Sequence, residues 1–177
     1  MMNVEAIQHV NILRHLITTS GNFPNNALLP LLVYQKALHI EPRSAAKTVK
    51  LLFRNNGWGN AWENGIHDYD HYHSTTHEVL GITAGSARVQ FGGPSGVALL
   101  INTGDVVILP AGVAHKALDV YDDFSCIGAY PAGHNYDMNY GHVDEFEKAM
   151  KRIKSLPLPE TDPVYGTGGP LISNWLH

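Results

Sequence analysis

The stretch that decides the fold covers residues 65–85 and reads GIHDYDHYHSTTHEVLGITAG. Within it, His71 and His73 stand two residues apart. On a β-strand this spacing sends both imidazoles to the same face, as chelation of one ion requires. Because imidazole is the commonest metal ligand, the pair predicts a metal site on this segment.

The next strand brings either Glu78 or His77 toward these two histidines. A turn predicted at residues 74–76 precedes it, and Glu78 then shares one strand face with Leu80 while His77 shares the other with Val79. Strand parity therefore favours Glu78 as the inward ligand. His77 remains an alternative, because a bulge in the turn would exchange the two faces.

A second element about thirty residues further on, at residues 104–115, reads GDVVILPAGVAH. A buried strand is predicted to run into a Pro-Ala-Gly turn, after which the next strand presents His115 close to its start. The chain has 11 histidines in 177 residues, and five of them lie in its middle: His67, His71, His73, His77 and His115. This local excess indicates a functional site.

These two elements resemble the two motifs of the cupin superfamily. The first motif is matched by Gly65, His71, His73, Glu78 and Gly85, and the second by Gly104, Pro110, Gly112 and His115. The second motif usually ends in Asn, where this chain has Asp119. The chain also resembles a group of uncharacterised single-domain bacterial cupins with a His-Tyr-His-Ser-x-x-His-Glu signature, a resemblance that extends to the Asp-Pro-Val-Tyr-Gly stretch at residues 162–166.

The resemblance implies an all-β fold, a double-stranded β-helix or jelly-roll barrel, and a homodimer. It also implies one divalent metal inside the barrel, bound by His71, His73, Glu78 and His115. Three imidazoles and one carboxylate suit Mn, Fe, Co, Ni, Cu or Zn, and the sequence does not choose among them. Alternatively, the histidines bind no metal and only hydrogen-bond to one another or to the carboxylate.

Around the motifs, the chain is predicted to form a single domain over residues 1–177. It divides into an N-terminal extension (1–60), a motif-bearing barrel core (61–131) and a C-terminal helix and tail (132–177). The extension is expected to contain a strand at Leu28–Leu38 and a helix that starts at Pro42 and ends before Gly57. The core strands are predicted at Tyr69–His73, Glu78–Ala84, Ser86–Phe91, Val97–Asn102, Asp105–Leu109, Ala114–Val120 and Phe124–Tyr130.

The third zone is predicted to contain a surface helix and a docked tail. Val143, Phe146, Met150 and Ile153 form the apolar stripe of this helix, and Trp175 indicates that the tail packs on the barrel. In the core, the Gly-Gly-Pro-Ser-Gly segment at residues 92–96 is expected to be a hairpin turn rather than a phosphate loop.

The mouth of the barrel is expected to include Tyr69, Tyr72, Arg88 and Gln90, with His67 and His77 as outer acids or bases. Two of these have alternatives. Strand parity favours a packing role for Tyr72, on the face opposite His71 and His73. A solvated surface position is favoured for Arg88.

Composition excludes several partners and compartments. The formal charge is −4 with no long Lys/Arg run, which argues against nucleic acid. The longest apolar stretches are too short to cross a bilayer, and Met1–Glu5 lacks the start of a signal peptide, so a cytoplasmic location is expected. The single cysteine, Cys126, is expected to be a buried, inert thiol. Leu28–Leu38 is expected to offer a sheet edge for pairing with a second copy.

Two functions fit an open metal position inside a barrel. The first is a metal-dependent enzyme, an oxygenase, isomerase or lyase, that acts on a small polar metabolite. The second is a non-catalytic cupin that binds a sugar or an organic acid.

Overall fold

The computed structural model describes residues 10–175. The predicted absence of a signal peptide concerns Met1–Glu5, which lie outside the described residues. Within the described part the chain forms seven strands: β1 (Asn11–Ile17), β2 (Asn26–Gln35), β3 (Trp58–Asn64), β4 (Glu78–Phe91), β5 (Val97–Asn102), β6 (Val106–Leu109) and β7 (His115–Pro131). It also forms three helices: α1 (Ala45–Asn55), α2 (Phe146–Ser155) and α3 (Pro170–Trp175).

The strands pair antiparallel in the order β1-β2-β6-β4-β7-β3, with β5 beside the second half of β4. The two strands predicted on either side of Gly85 form one long strand, β4, with shifts of register next to this glycine. Gly85 has φ +62°, and a Cβ there would lie 2.2 Å from the carbonyl oxygen of Tyr121. β7 likewise joins two predicted strands across Asp122 and Asp123, which both have positive φ. These bulges bend the strands and let the sheet curl.

The two faces of the curled sheet carry separate apolar clusters. Leu80 and Ile82 of β4 lie in the inner cluster, together with residues such as Val107 and Cys126. Val79 lies in the outer cluster, together with residues of α1 and α3 such as Phe53 and Trp175. The strand parity predicted for residues 78–82 is confirmed, and the molecule has the expected all-β jelly-roll fold, with helices before and after the motif strands.

Several local predictions are wrong. β2 is not a free edge, because β1 pairs with it on one side and β6 on the other. Strands β1 and β3 were not predicted from the sequence. Residues 69–73 form no regular strand; two isolated bridges join His71 to His115 and Tyr72 to Asn139. The predicted division of the chain at residues 60 and 131 stays a prediction, although β2 and β3 pair with core strands.

The helices are largely where the apolar stripes predict them. α1 begins at Ala45, three residues after Pro42, and buries Val49 and Phe53. α2 begins at Phe146, so Val143 lies before it and is 77% exposed rather than part of its stripe. The Glu145 carboxylate accepts hydrogen bonds from the backbone N–H groups of residues 140–142 and so stabilises the turn that leads into α2.

The predicted docking of the tail is confirmed, although the tail ends in a short helix, α3, that was not expected. The buried indole of Trp175 donates a hydrogen bond to the carbonyl of Pro30, at 2.9 Å. The segment at residues 92–96 forms the predicted turn between β4 and β5. Among residues 10–175, no helix is long and apolar enough to span a bilayer.

Candidate metal centre

Three histidines converge inside the curled sheet. His71, His73 and His115 are all buried, and each offers a ring nitrogen within 4.8 Å of the other two. Reciprocal backbone hydrogen bonds between His71 and His115 hold the two motifs side by side. The backbone N–H of Gly112, in the turn before His115, donates to the carbonyl of His73 at 2.8 Å. The two motifs therefore form one unit.

Each imidazole is oriented by a backbone carbonyl. The Nδ1 atoms of His71, His73 and His115 lie 3.1, 2.6 and 3.1 Å from the carbonyl oxygens of Tyr69, Asp137 and Val113, respectively. A carbonyl only accepts hydrogen bonds, so each Nδ1 must be the donor, and in a neutral ring Nε2 is then left with a lone pair. This arrangement is typical of histidines that bind metal through Nε2.

Glu78 completes the set of donor atoms. Its Oε2 lies 3.3 Å from Nε2 of His73 and 3.5 Å from Nε2 of His115. Its Oε1 accepts a hydrogen bond from Tyr130 at 3.2 Å, but its buried Oε2 has no hydrogen-bond partner among the described residues. A buried carboxylate oxygen that faces imidazole nitrogens and has no other polar partner among the described residues fits a bound cation.

The pKa values of these groups reflect the crowding. Burial, with help from the neighbouring His115, lowers the pKa of His71 to about 3, so its ring is neutral at physiological pH. For His73, burial alone would lower the pKa, but the Glu78 carboxylate raises it above its ordinary value. For Glu78, burial opposes ionisation, yet His73 and His115 lower its pKa. Each of these two groups thus favours the charged form of the other.

His77 lies outside this group. Its Nδ1 accepts the backbone N–H of Ala111 at 2.9 Å, and its ring packs against Trp175 with centroids 4.9 Å apart. Burial lowers the pKa of His77 to about 4. The structure thus brings Glu78, and not His77, to the three histidines.

A cavity of about 340 Å³ opens on one side of the four side chains. Beyond them it is lined by ten residues, most of them aromatic or apolar: Trp62, Glu63, Asn64, Gly65, Ile66, His67, Leu80, Tyr130, Tyr136 and Met138. None of the four residues predicted at the mouth is in this lining, whereas His67, predicted as an outer acid or base, is. Tyr69 lies next to it, its ring stacked on that of His67 with centroids 4.7 Å apart.

The other predicted mouth residues have structural roles. Tyr72 is fully buried with its ring edge-on to Phe23, which agrees with the packing role favoured by parity. Arg88 lies at the surface and forms an ion pair with Asp119 at 2.8 Å. Asp119, the residue that departs from the cupin motif, therefore pairs with an exposed arginine side chain. Gln90 donates a hydrogen bond to the Gly93 carbonyl in the hairpin turn.

One wall of the cavity is aromatic, formed by Trp62, Tyr130 and Tyr136, and it was not predicted from the sequence. Trp62 lies on the unpredicted strand β3 and Tyr136 in the loop after β7. Tyr130 ends a correctly predicted strand and shares a strand face with Cys126, which was a usable signal. Its position beside Glu78, however, follows from the pairing of Val79 with Ala129, and this register could not be read from either strand alone.

Asp137 is a second missed residue, and it supports the site from outside. Its carboxylate accepts hydrogen bonds from the backbone N–H groups of Ser74 and Thr75 and from the side chain of Asn139. Burial alone would raise the pKa of Asp137, but the hydrogen bond from the Ser74 hydroxyl, followed by those from Asn139 and the two backbone N–H groups, lowers it to about 2. Its carbonyl orients His73, so the loop after β7 is part of the centre's support.

The curled antiparallel sheet, the two motifs and the inward-facing histidines define a cupin-type jelly roll with a possible metal site. The chain belongs to the family of the uncharacterized protein YjlB of Bacillus subtilis (strain 168), to which it is 43% identical over 156 residues, 88% of this chain and 92% of YjlB. No protein-family model matches the chain.

Solved structures show a more distant likeness. A DUF861 family protein from Thermotoga maritima is 25% identical and matches over 51% of this chain and 94% of its own, with a TM-score of 0.32. Procruciferin, an 11S globulin from Brassica napus, is 16% identical over 64% of this chain, with a TM-score of 0.37. The chain spans about a quarter of that globulin's length, 23%. At these scores, the fold assignment rests on the strand pairing and motif residues of the chain itself.

Proposed function

We propose that this chain is a metal-binding cupin that acts as a metal-dependent enzyme on a small polar metabolite. His71, His73, Glu78 and His115 are the proposed ligands, and the metal is Mn, Fe, Co, Ni, Cu or Zn. The observation that carries the proposal is the buried Oε2 of Glu78, which has no hydrogen-bond partner among the described residues and faces imidazoles whose Nδ1 atoms are already engaged. Oxygenase, isomerase and lyase reactions all fit this arrangement.

A divalent ion at this position supplies Lewis acidity and, for a redox metal, electron transfer. The protein supplies the rest. Its three oriented imidazoles and Glu78 would hold the ion beside the cavity, whose largely aromatic and apolar walls would limit the access of water. Tyr130 and Tyr136, whose rings stack with centroids 5.0 Å apart, form part of one apolar wall against which a ligand can pack.

The charges around the cavity support a ligand with little negative charge. A divalent cation and Glu78 would together leave a single positive charge. Among the described lining residues there is no Lys or Arg, and Glu63 adds a carboxylate at the rim. A phosphate dianion would find no cationic side chain there, whereas a single carboxylate or a pair of neutral oxygens would match the charge. We therefore expect a neutral or monoanionic metabolite with an apolar portion.

The proposal is tested by elemental analysis of the protein purified without a histidine tag. The wild-type chain should contain, or take up on reconstitution, about one equivalent of a transition metal. His73→Ala and His115→Ala should lose it, while His39→Ala, at an exposed histidine, should keep it. A wild-type chain that takes up none of the six ions would overturn the proposal.

The alternative is a non-catalytic cupin that binds a sugar or an organic acid. One observation favours it: Tyr130, a hydroxyl on the cavity wall, is already engaged with both Trp62 and Glu78. The phenol proton of Tyr130 is therefore committed to Glu78 rather than available to a ligand. A compound that binds the metal-loaded protein and is recovered unchanged, as judged by mass spectrometry, would favour this alternative. Turnover abolished in His73→Ala would favour the enzyme.

The cytoplasmic location and the homodimer stay proposals. The edge expected at β2 is not available for pairing with a second copy, because β1 pairs with it. Among the described strands, β5 pairs with β4 alone and is free of charged residues, so it offers an edge for a second copy.

A further inference from the structure

We infer that a hydrogen-bond chain from Trp62 through Tyr130 determines which oxygen of Glu78 faces the metal. Both residues are thereby positioning residues, which act on the centre through Glu78. The inference rests on the proposed metal-binding function and assigns a specific task to two residues outside the proposed ligand set.

The direction of the chain follows from its donors and acceptors. The indole Nε1–H of Trp62 donates to the phenol oxygen of Tyr130 at 2.7 Å. The only proton of that phenol is then directed to Oε1 of Glu78, 3.2 Å away. An indole N–H can only donate, so the chain cannot run in the opposite direction. With Oε1 occupied, Oε2 is the oxygen that turns toward His73 and His115.

Packing holds the chain in place. Tyr130 is 1% exposed, and its ring stacks on Tyr136 and meets His73 edge-on. The indole ring of Trp62 packs against the backbone at Gly128, where a Cβ would come within 2.2 Å of it. The position of Trp62 therefore requires a glycine at its pairing partner on β7, Gly128.

The arrangement has a chemical consequence. A carboxylate with one oxygen hydrogen-bonded to a phenol offers only the other oxygen as a metal ligand. Without that hydrogen bond, the carboxylate can rotate and offer both oxygens to the ion. Loss of a hydrogen bond to a metal ligand typically weakens metal binding 10- to 100-fold. Removal of the Tyr130 hydroxyl should therefore weaken binding and alter the coordination of the ion.

The test is titration of the metal-free protein with Co²⁺, whose visible absorption reports the number and geometry of its ligands. Tyr130→Phe should weaken Co²⁺ binding about 10-fold or more and change the absorption spectrum. The matched control is Tyr72→Phe, which removes the hydroxyl of another buried tyrosine with no hydrogen-bond partner among the described residues. This control should bind Co²⁺ with wild-type affinity and spectrum.

A second variant separates positioning from general damage to the fold. Trp62→Phe keeps the phenol and should weaken Co²⁺ binding in the same direction but by less. Because Trp62 acts through Tyr130, the double variant should bind Co²⁺ no more weakly than Tyr130→Phe alone. Additive losses would overturn the proposed chain.

The remaining outcomes distinguish this inference from the proposed function. If the wild-type protein binds Co²⁺ and His73→Ala does not, but Tyr130→Phe matches Tyr72→Phe in affinity and spectrum, the positioning role is wrong and the metal site stands. If the wild-type protein itself takes up no Co²⁺ or other transition metal, both are overturned.

Discussion

Asp162 anchors the C-terminal tail, and its replacement by Asn is predicted to destabilise the whole fold. The carboxylate is fully buried. Its Oδ1 accepts the backbone N–H groups of Val164 at 2.8 Å and Tyr165 at 3.0 Å. Its Oδ2 accepts the Tyr34 hydroxyl at 2.6 Å and the backbone N–H of Leu171 at 3.0 Å. One side chain thus joins β2, the tail turn and α3.

The size of the effect follows from this geometry. In Asp162→Asn one carboxylate oxygen is replaced by an NH₂ group. Whichever of the two oxygens is replaced, the NH₂ group then faces a backbone N–H, which is also a donor. The Tyr34 hydroxyl can rotate to accept a hydrogen bond, but the N–H of Leu171, or those of Val164 and Tyr165, must lose an acceptor. Loss of a charged hydrogen bond and burial of an unpaired donor cost about 2–4 kcal/mol. For a chain of this length, that lowers the melting temperature by roughly 6–12 °C.

The assay is urea unfolding followed by tryptophan fluorescence, together with thermal melting. Trp58 and Trp175 both lie in the outer cluster with residues of the tail, so the signal reports on this region. The control is Asp119→Asn, which alters a half-exposed ion pair with Arg88 and should cost less than about 1 kcal/mol. A loss in Asp162→Asn no larger than in this control would refute the anchoring role.

Three further predictions concern acid stability, thiol reactivity and assembly. The folded-state pKa of Asp137 lies below its usual value of 3.8, so its ionisation stabilises the fold above about pH 4 and this contribution is lost as the pH falls toward 2. The melting temperature of Asp137→Asn should therefore fall less on acidification than that of the wild-type protein. Equal falls in the two proteins would contradict the role. Burial raises the pKa of Cys126, so Ellman's reagent should label it only after denaturation, and rapid labelling of the native protein would contradict this. We expect a homodimer by light scattering, and a mass near 19.4 kDa would argue against it.

Much of the site could be predicted because its determinants are local. The two-residue spacing of His71 and His73, and the parity of Glu78 with Leu80, depend only on the alternation of side chains along extended backbone. The spacing still places the two histidines on one side of the chain, although residues 69–73 form isolated bridges rather than a regular strand. The fixed spacing of residues within the two motifs also limited where the turns between their strands could lie.

The parts that were missed depend on pairing between distant segments. β3 reads WGNAWEN, in which five of the seven residues are of types depleted in strands (Gly, Asn, Ala and Glu), so its strand conformation comes mainly from its pairing with β7. β1 was missed as well, and with it the reason why β2 is not an edge. The contact of Tyr130 with Glu78 required the register between β4 and β7, which local periodicity does not contain.

The loop after β7 makes the proposed centre depend on more of the chain than its two motifs. The carbonyls that orient His71 and His115 come from residues two positions earlier in the sequence, so the motifs supply them. The carbonyl that orients His73 belongs to Asp137, 64 residues away. The same loop places Tyr136 and Met138 on the cavity wall. A change that releases this loop would therefore loosen one proposed ligand and open the cavity at once, so metal affinity and ligand access should vary together.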